Sequence, residues 1–374
     1  MMIQSISINE KTLTIDWQSG SDSTFHYIWL RDNCQSPKSL HPNGQRLLQT
    51  VDIPADIHPS SVQVIKEQSL EIVWADGHQS SYSADWLYNH VYDMPLSGSN
   101  NEMQIQLWNC SVDINSLTFD YPEIISKERT LYDWLVAFCQ YGVAFLKNVP
   151  TQLGAVENIV DQFGYIHETN FGRISDVKIV TNATNLTYTN DYLSPHTDNP
   201  YRDPAPTLML LHCLSSDVEG GDSIIVDGFQ VAEKLRQKNP KYFKLLASIP
   251  VNFCFSDPNV EISAEKTIIQ VNWRDELTAV CFHNESLQPL RMDAELMGSF
   301  YDAYRTFFEM IMDVNNQVQF KLQPGQVYMV DNRRVLHGRT AFFNTDKRHL
   351  QGCYAGIDGL YSKLAVLKRH IIGT

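Results

Sequence analysis

The stretch His196-Thr-Asp-Asn-Pro-Tyr-Arg-Asp203, read together with Asp331-Asn-Arg-Arg-Val-Leu-His-Gly-Arg-Thr340, decides how this chain folds. On an extended segment, residues two apart share a face, so His196 and Asp198 point to the same side. His337 follows the strand-like run Val327–Val330 and is placed to close a triad from a neighbouring strand. Two imidazoles and one carboxylate on one face of a metal leave three positions open. That arrangement suits non-haem iron(II), which takes a cosubstrate and oxygen together. An HxD pair also recurs by chance, and a lone distal His is ordinarily just a part-buried side chain. Arg348, eleven residues beyond His337, separates these readings. Its planar fork matches a carboxylate bidentately. A 2-oxo acid chelated at the metal leaves its far carboxylate in need of such a partner.

Outward from these blocks, most segments read as strands: Thr207–His212, Ser223–Val226, Ile268–Val271 and Ala279–Phe282. A helix is expected from Thr130, with Thr130-Leu-Tyr-Asp133 as a capping box and Gly142 as its end. Leu131, Trp134, Leu135 and Phe138 fall on one face of it, and Val143–Leu146 follows as a buried strand. Helices also fit Val231–Gln237 and Asp293–Met312, the second with Leu296, Phe300, Tyr304, Phe307 and Ile311 at helical spacing. Near the start, Ser5–Ile8, Thr12–Trp17 and Leu70–Trp74 alternate with turn signals. The pattern is mainly β with bracing helices, which suits a two-sheet jelly roll better than βαβ units. It divides into a β-rich N-terminal domain (1–95), a small polar linker (96–105) and a catalytic domain (106–374). No internal repeat is evident.

Hydrophobic residues make up 43% of the 374, enough for a packed core rather than a disordered chain. Lys plus Arg number 29 against 43 Asp plus Glu, so the formal charge of -14 disfavours nucleic acid as a partner. The seven cysteines are scattered and form no CxxC pair, the usage of a reducing compartment. No signal peptide and no membrane span is visible, which places the protein in the cytoplasm.

The ordered blocks resemble the gamma-butyrobetaine and trimethyllysine hydroxylases of the taurine-dioxygenase-like group. The resemblance runs over nearly the whole chain. It is carried by Trp29-Leu-Arg-Asp-Asn-Cys34, Glu168-Thr-Asn-Phe-Gly172, the two blocks above, Leu211-His-Cys-Leu214, Gly220-Gly-Asp-Ser-Ile-Ile-Val-Asp-Gly228 and Arg348-His-Leu-Gln-Gly-Cys-Tyr354. It implies a double-stranded β-helix core, with iron(II) held by His196, Asp198 and His337. It also implies 2-oxoglutarate held by Arg348, with Ser223 standing where the wider group places a Thr, and O2 as the oxidant. The presence of Asp198 favours hydroxylation over halogen transfer. Relatives are dimers, so a homodimer is implied.

The implied substrate is a small trimethylammonium-bearing anion, with gamma-butyrobetaine converted to carnitine. The alternatives are trimethyllysine and 2-trimethylaminoethylphosphonate. A trimethylammonium makes no hydrogen bonds and is recognised by aromatic faces. Tyr188 and Tyr354 match cage positions, Phe171 matches a position that is often Tyr, and Tyr192 and Tyr201 stand nearby. Asn185 and Asn284 match carboxylate-contacting positions, and Asn199 stands where some relatives place a Tyr. Three departures bear on the substrate. Ser175 stands where an aromatic wall is found, with Tyr192 as a substitute; His283 stands where a second Asn is expected; Arg173, Arg202 or His283 could serve a phosphonate. In the N-terminal domain, Ser36 and Ser39 replace two cysteines of the family's zinc site. Only Cys34 and His78 remain, so no structural zinc is expected and Cys34 should act as a small buried hydrophobe. Two other classes compete: a zinc hydrolase on the same three ligands, which has no use for Arg348, and a non-catalytic quaternary-amine binder, which has no use for a complete triad. A serine hydrolase lacks its GxSxG elbow.

Overall fold

The computed structural model describes residues 1–92, 104–179, 189–343 and 347–373, with the backbone alone at Ile372. The chain divides into two compact units, Met1–Glu102 and Met103–Thr374. The linker expected at 96–105 therefore lies largely outside the described residues.

The first unit holds β1 (Ile3–Ile8), β2 (Thr12–Trp17), β3 (Asp22–His26), α1 (Tyr27–Asp32), β4 (Pro59–Ile65), β5 (Ser69–Trp74), β6 (Gln79–Ser83) and α2 (Ala84–Asn89). The strands form two antiparallel three-stranded meanders, β1-β2-β3 and β4-β5-β6, each followed by a short helix. This corrects the expectation of no internal repeat. Leu13, Ile15, Trp17, Ser23 and Phe25 recur as Leu70, Ile72, Trp74, Ser80 and Tyr82. The physics repeats too: Trp17 Nε1 donates to Ser23 Oγ at 2.9 Å, and Trp74 Nε1 to Ser80 Oγ at 2.8 Å. Each buried indole thus satisfies its one donor within its own meander. The two copies are separated in the sequence by residues 33–58, which obscures the period.

In the second unit the strands are β7 (Thr118–Asp120), β8 (Val143–Lys147), β9 (Ser175–Val177), β10 (Leu193–His196), β11 (Leu208–Ser216), β12 (Glu219–Gly220), β13 (Ser223–Asp227), β14 (Val251–Ser256), β15 (Glu261–Lys266), β16 (Ile269–Val271), β17 (Leu277–Val280), β18 (Gln317–Phe320), β19 (Val327–Asp331), β20 (Val335–Arg339), β21 (Phe342–Phe343) and β22 (Arg348–Ala355). The bracing helices are α3 (Tyr121–Ser126), α4 (Glu128–Tyr141), α5 (Ala155–Val160), α6 (Gly228–Lys238), α7 (Pro240–Ser248), α8 (Ala294–Met312) and α9 (Ile357–Ile372).

Two sheets dominate this unit: a six-stranded one ordered β7-β8-β19-β11-β22-β9 and a four-stranded one ordered β10-β20-β13-β18. Every pairing in them is antiparallel except β7 with β8. They pack through one cluster to which the larger sheet gives Phe145, Met209, Tyr328 and Val330 and the smaller gives Ile225, Val318 and Val335. Each such side chain, fully buried, is worth roughly 1.5–3 kcal/mol. Helices α4, α5 and α9 cover the other face of the six-stranded sheet through Trp134, Phe138, Ile159 and Leu360. Helices α6, α7 and α8 build a separate core around Phe282, Phe300 and Phe307.

Helix α4 begins two residues before the expected start, and its N-cap Lys127 makes no side-chain cap bond. Thr130 is inside the helix, so the expected capping box does not form. Gly142 does end it, with a left-handed φ of 71° that suits glycine. On α8, Phe300, Tyr304, Phe307 and Ile311 are buried as expected, but Leu296 in the first turn is exposed. No helix among the described residues is long and apolar enough to cross a membrane.

Candidate metal centre and cosubstrate cavity

His196 ends β10, and in the ladder it stands directly opposite His337 of β20. The two strands approach unusually closely. A Cβ on Gly338 would sit 2.6 Å from the Leu193 carbonyl oxygen and 2.9 Å from the Pro195 nitrogen, so only glycine fits there. Asp198 lies just past the strand, held by the buried Asn332 side chain. Asn332 Oδ1 accepts from the Asp198 amide at 2.6 Å, and its Nδ2 donates to the carbonyls of Asp198 and Pro206, each at 2.9 Å. Thr197, between the two ligands-to-be, faces the other way: its amide donates to the Phe282 carbonyl at 2.7 Å, and its hydroxyl accepts from the Phe282 amide at 2.9 Å.

Nε2 of His196 is 3.4 Å from Asp198 Oδ1, and Nε2 of His337 is 3.6 Å from Asp198 Oδ2. One ligand atom from each of the three lies within 4.8 Å of the others, the one grouping of three or more such residues among those described. His196 Nδ1 bonds the Ser194 carbonyl at 2.8 Å, which places a proton on Nδ1 and leaves the Nε2 lone pair facing the carboxylate. A lone pair facing an anion is relieved by a cation between them, and this donor set fits iron(II). Without the metal, burial pushes the Asp198 carboxyl up, but His337 and His196 facing it reverse this and hold it well below the usual range. Burial lowers His337; burial also opposes protonation of His196, but its bonds to Asp198 and Ser194 outweigh this and raise it.

A cavity of about 450 Å³ opens on these three residues and draws its walls from both sheets. Arg348, which opens β22, is 5% exposed and lines it. Its guanidinium lies 5.0 Å from the Phe342 ring centroid, and burial lowers its pKa. No described carboxylate neutralises it; the nearby groups are Tyr328 and Cys213. Ser223 lines the same part of the wall and hydrogen-bonds the Tyr328 hydroxyl. Arg339, opposite Ser223 on β20, is also buried; its guanidinium donates to the carbonyls of Thr189 and Asp191 at 2.9 and 3.0 Å.

Of the expected substrate contacts, Phe171, Asn199, Tyr201 and Tyr354 line the cavity. Tyr354 donates its hydroxyl to Asp198 Oδ2 at 2.8 Å, and Tyr201 donates to Asn199 Oδ1. Two of the expected contacts are not among the lining residues. Tyr192 is 42% exposed and reaches Met312 Sδ at 3.8 Å rather than the cavity. Asn284 accepts from the Tyr304 hydroxyl at 3.1 Å and does not line the cavity, because the one-turn helix at Asn284–Ser286 rotates it outward. Asn185 and Tyr188 lie outside the described residues. Arg173 pairs with Glu157 at 2.8 Å, and Arg202 bonds Asn170. His283 does line the cavity, but burial, then His196, pushes its pKa down to about 4, so it is a neutral group at physiological pH.

Phe255, Glu285 and Tyr328 line the cavity without having been anticipated. Phe255 stands 5.5 Å from Phe171, edge-on, and 5.3 Å from Tyr201, stacked. It brings the aromatic surface that Ser175 lacks, a role the sequence had offered to Tyr192. The alternation Phe253-Cys254-Phe255 marks a strand, but nothing in it says that the β14–β15 hairpin reaches the cavity.

In the first unit, Cys34 Sγ lies 3.1 Å from His78 Nε2 and accepts from Ser80 Oγ at 3.1 Å and the Ser36 amide at 3.5 Å. Burial raises its pKa, but these serine donors reverse that and lower it. Cys34 is thus buried, as expected, and is in addition a hydrogen-bonded thiol.

A two-sheet core carrying a buried two-His, one-carboxylate set above an uncompensated guanidinium describes a 2-oxoglutarate-dependent dioxygenase. Residues 107–354 match the taurine catabolism dioxygenase TauD, TfdA family, and residues 5–88 match the gamma-butyrobetaine hydroxylase-like N-terminal domain. The chain belongs to this TauD/TfdA family. It is 34% identical to a gamma-butyrobetaine dioxygenase of Pseudomonas sp. (strain AK-1), over 96% of this chain and 94% of that one. It is 28% identical to the gamma-butyrobetaine dioxygenase of Homo sapiens, over 96% and 95%. It is 31% identical to a trimethyllysine dioxygenase of Meyerozyma guilliermondii, over 96% and 94%.

Proposed function

We propose that this enzyme hydroxylates a C–H bond of a small trimethylammonium-bearing molecule, with gamma-butyrobetaine as substrate and carnitine as product. The observation that carries the reading is the aromatic wall of Phe171, Tyr201, Phe255 and Tyr354, in one cavity with the His196–Asp198–His337 set and Arg348. The core is read as a double-stranded β-helix, its two sheets being the pair described above. Iron(II) is held by His196, Asp198 and His337, and 2-oxoglutarate by Arg348 and Ser223. With O2, this pair supplies the oxidising power needed for an unactivated C–H bond.

The chain's own part is orientation and exclusion of water. Ser194 fixes the His196 tautomer, Tyr354 holds the Asp198 carboxylate, Asn332 holds the Asp198 backbone, and Arg348 with Ser223 meets the far carboxylate of the cosubstrate. The aromatic faces orient the quaternary ammonium and keep the reacting carbon dry. Asn199 borders that wall through Tyr201, and Asn185 and Tyr188 are assigned to the substrate by resemblance alone. The Cys34–His78 cluster is read as zinc-free, since serines replace the other thiolates. The scattered cysteines support a cytoplasmic enzyme, and the resemblance supports a homodimer.

Succinate formation by anaerobically iron-loaded protein given O2 and 2-oxoglutarate tests the proposal. Gamma-butyrobetaine, trimethyllysine and 2-trimethylaminoethylphosphonate are compared with no added amine, with Asp198→Ala as control. Stimulation by gamma-butyrobetaine that the variant loses is the expected result. Stimulation by none of the three refutes the trimethylammonium assignment.

A further inference from the structure

The cavity has two chemically different ends. Arg348 and Arg339, both buried, mark the cosubstrate end. On the His196 side, the wall is His283, Glu285 and Ser286. Apart from Asp198, Glu285 is the one acidic residue that lines the cavity among the described residues. It is held there by a chain of contacts: Ser194 Oγ donates to Glu285 Oε1 at 3.1 Å, and the Ser194 carbonyl accepts from His196 Nδ1. The carboxylate, its side chain 28% exposed, is therefore held at the cavity wall close to His196.

Nothing described beside it neutralises it. The one basic group within ion-pair distance is His283, whose Nδ1 lies 3.7 Å from Glu285 Oε2. That same Nδ1 accepts the Ser286 amide at 3.1 Å, so it carries no proton and the imidazole is not a cation. Asn284, the amide that would have received a substrate carboxylate here, is turned toward Tyr304 instead. Among the described residues, a substrate anion on this side would thus meet a carboxylate and no compensating group of opposite charge.

We propose that Glu285 is a specificity-determining residue that makes the cavity select by net charge. It favours quaternary-ammonium substrates that are zwitterionic or carry a further cationic group, and it rejects those whose acidic head bears two negative charges. The inference rests on the quaternary-ammonium reading of the aromatic wall and narrows it. Cation–π attraction to that wall is the same for every trimethylammonium compound. Discrimination among them has to come from the rest of the substrate, and Glu285 is the charged group placed to supply it.

The test is equilibrium binding, measured by calorimetry without oxygen on the iron(II)- and 2-oxoglutarate-loaded enzyme. Three probes of decreasing net charge are trimethyllysine, gamma-butyrobetaine and 2-trimethylaminoethylphosphonate, each with wild type, Glu285→Gln and Glu285→Asp. Glu285→Gln should weaken trimethyllysine by about tenfold, change gamma-butyrobetaine by about threefold or less, and tighten the phosphonate by several-fold. Glu285→Asp keeps the charge and should preserve the wild-type order. A shift of equal size and sign for all three probes assigns Glu285 a merely structural role and overturns the proposal, as does no shift at all. If wild type binds none of the three, the quaternary-ammonium reading fails and this inference falls with it.

Discussion

Replacing Arg348 by Met should make the protein more stable and unable to hold its cosubstrate. The residue is 5% exposed, no described carboxylate pairs with it, burial lowers its pKa, and its charge is near enough to Arg339 to lower that residue's pKa further. A buried charge without a counterion costs several kcal/mol, offset here by the Phe342 ring at 5.0 Å, worth about 0.5–2 kcal/mol. A Met of similar length removes the charge and keeps the packing, so a net gain of about 1–3 kcal/mol is expected. On the binding side, deleting one member of a buried charge pair costs about 2–5 kcal/mol, a rise in Kd of roughly 30- to several-thousand-fold. Arg348→Lys keeps the charge without the bidentate fork and should fall between. Urea unfolding of the metal-free protein reads the first effect, and calorimetric titration of the iron-loaded protein with 2-oxoglutarate, without oxygen, reads the second. If Arg348→Met loses stability, or binds 2-oxoglutarate as wild type does, the guanidinium is a structural tie and not the cosubstrate anchor.

Two further expectations concern the scaffold around the site. In Gly338→Ala the new methyl would sit 2.6 Å from the Leu193 carbonyl oxygen, forcing β10 from β20 where His196 and His337 face each other. Overpacking of this kind costs about 1–3 kcal/mol, and iron(II) affinity measured by anaerobic titration should drop with it; unchanged affinity would show that the ladder does not set the triad. His212 is fully buried on β11, neither ring nitrogen has a hydrogen-bond partner among the described residues, and burial pushes its pKa down from 6.5 to about 4. Between those values the unfolded chain holds a proton that the folded one does not, so stability falls as pH drops from 6.5 toward 4, by roughly 3 kcal/mol at the lower limit. Urea midpoints at pH 7.5 and pH 5 should therefore converge in His212→Leu relative to wild type, and equal pH dependence in the two proteins would refute this account.

The parts of the structure legible in the sequence are those where one local rule governs. The HxD pair follows from strand alternation, the end of α4 from the positive φ that Gly142 accepts, and the buried face of α8 from helical spacing, except at Leu296, where the first turn overhangs the core. What stayed hidden depends on how distant segments meet. Tyr192 and Asn284 were the right residue types in the right stretches, but the direction of a side chain in an irregular segment is not periodic. Phe255 and Glu285 come from a hairpin and a one-turn helix whose approach to the cavity is set by the packing of α7 and α8, not by their own sequence.

The triad shows why a few motif residues nevertheless carry so much. His196 stands opposite His337 after an irregularity in the ladder between Leu193 and His196, and Ser223 stands opposite Arg339, so the pairing of β10, β20 and β13 places both the metal set and the cosubstrate donors. Because side chains alternate faces, a slip of one residue between β10 and β20 would turn His337 out of the cavity and send the flanking Leu336 in. The buried faces forbid it: Ile225 and Val226 of β13, with Val335 and Leu336 of β20, are each fully buried. The hydrophobic pattern that folds the smaller sheet is therefore the same pattern that assembles the site. A histidine, an aspartate and a second histidine 139 residues beyond the Asp198 carboxylate can be read as one centre because the aliphatic residues between them allow only one alignment.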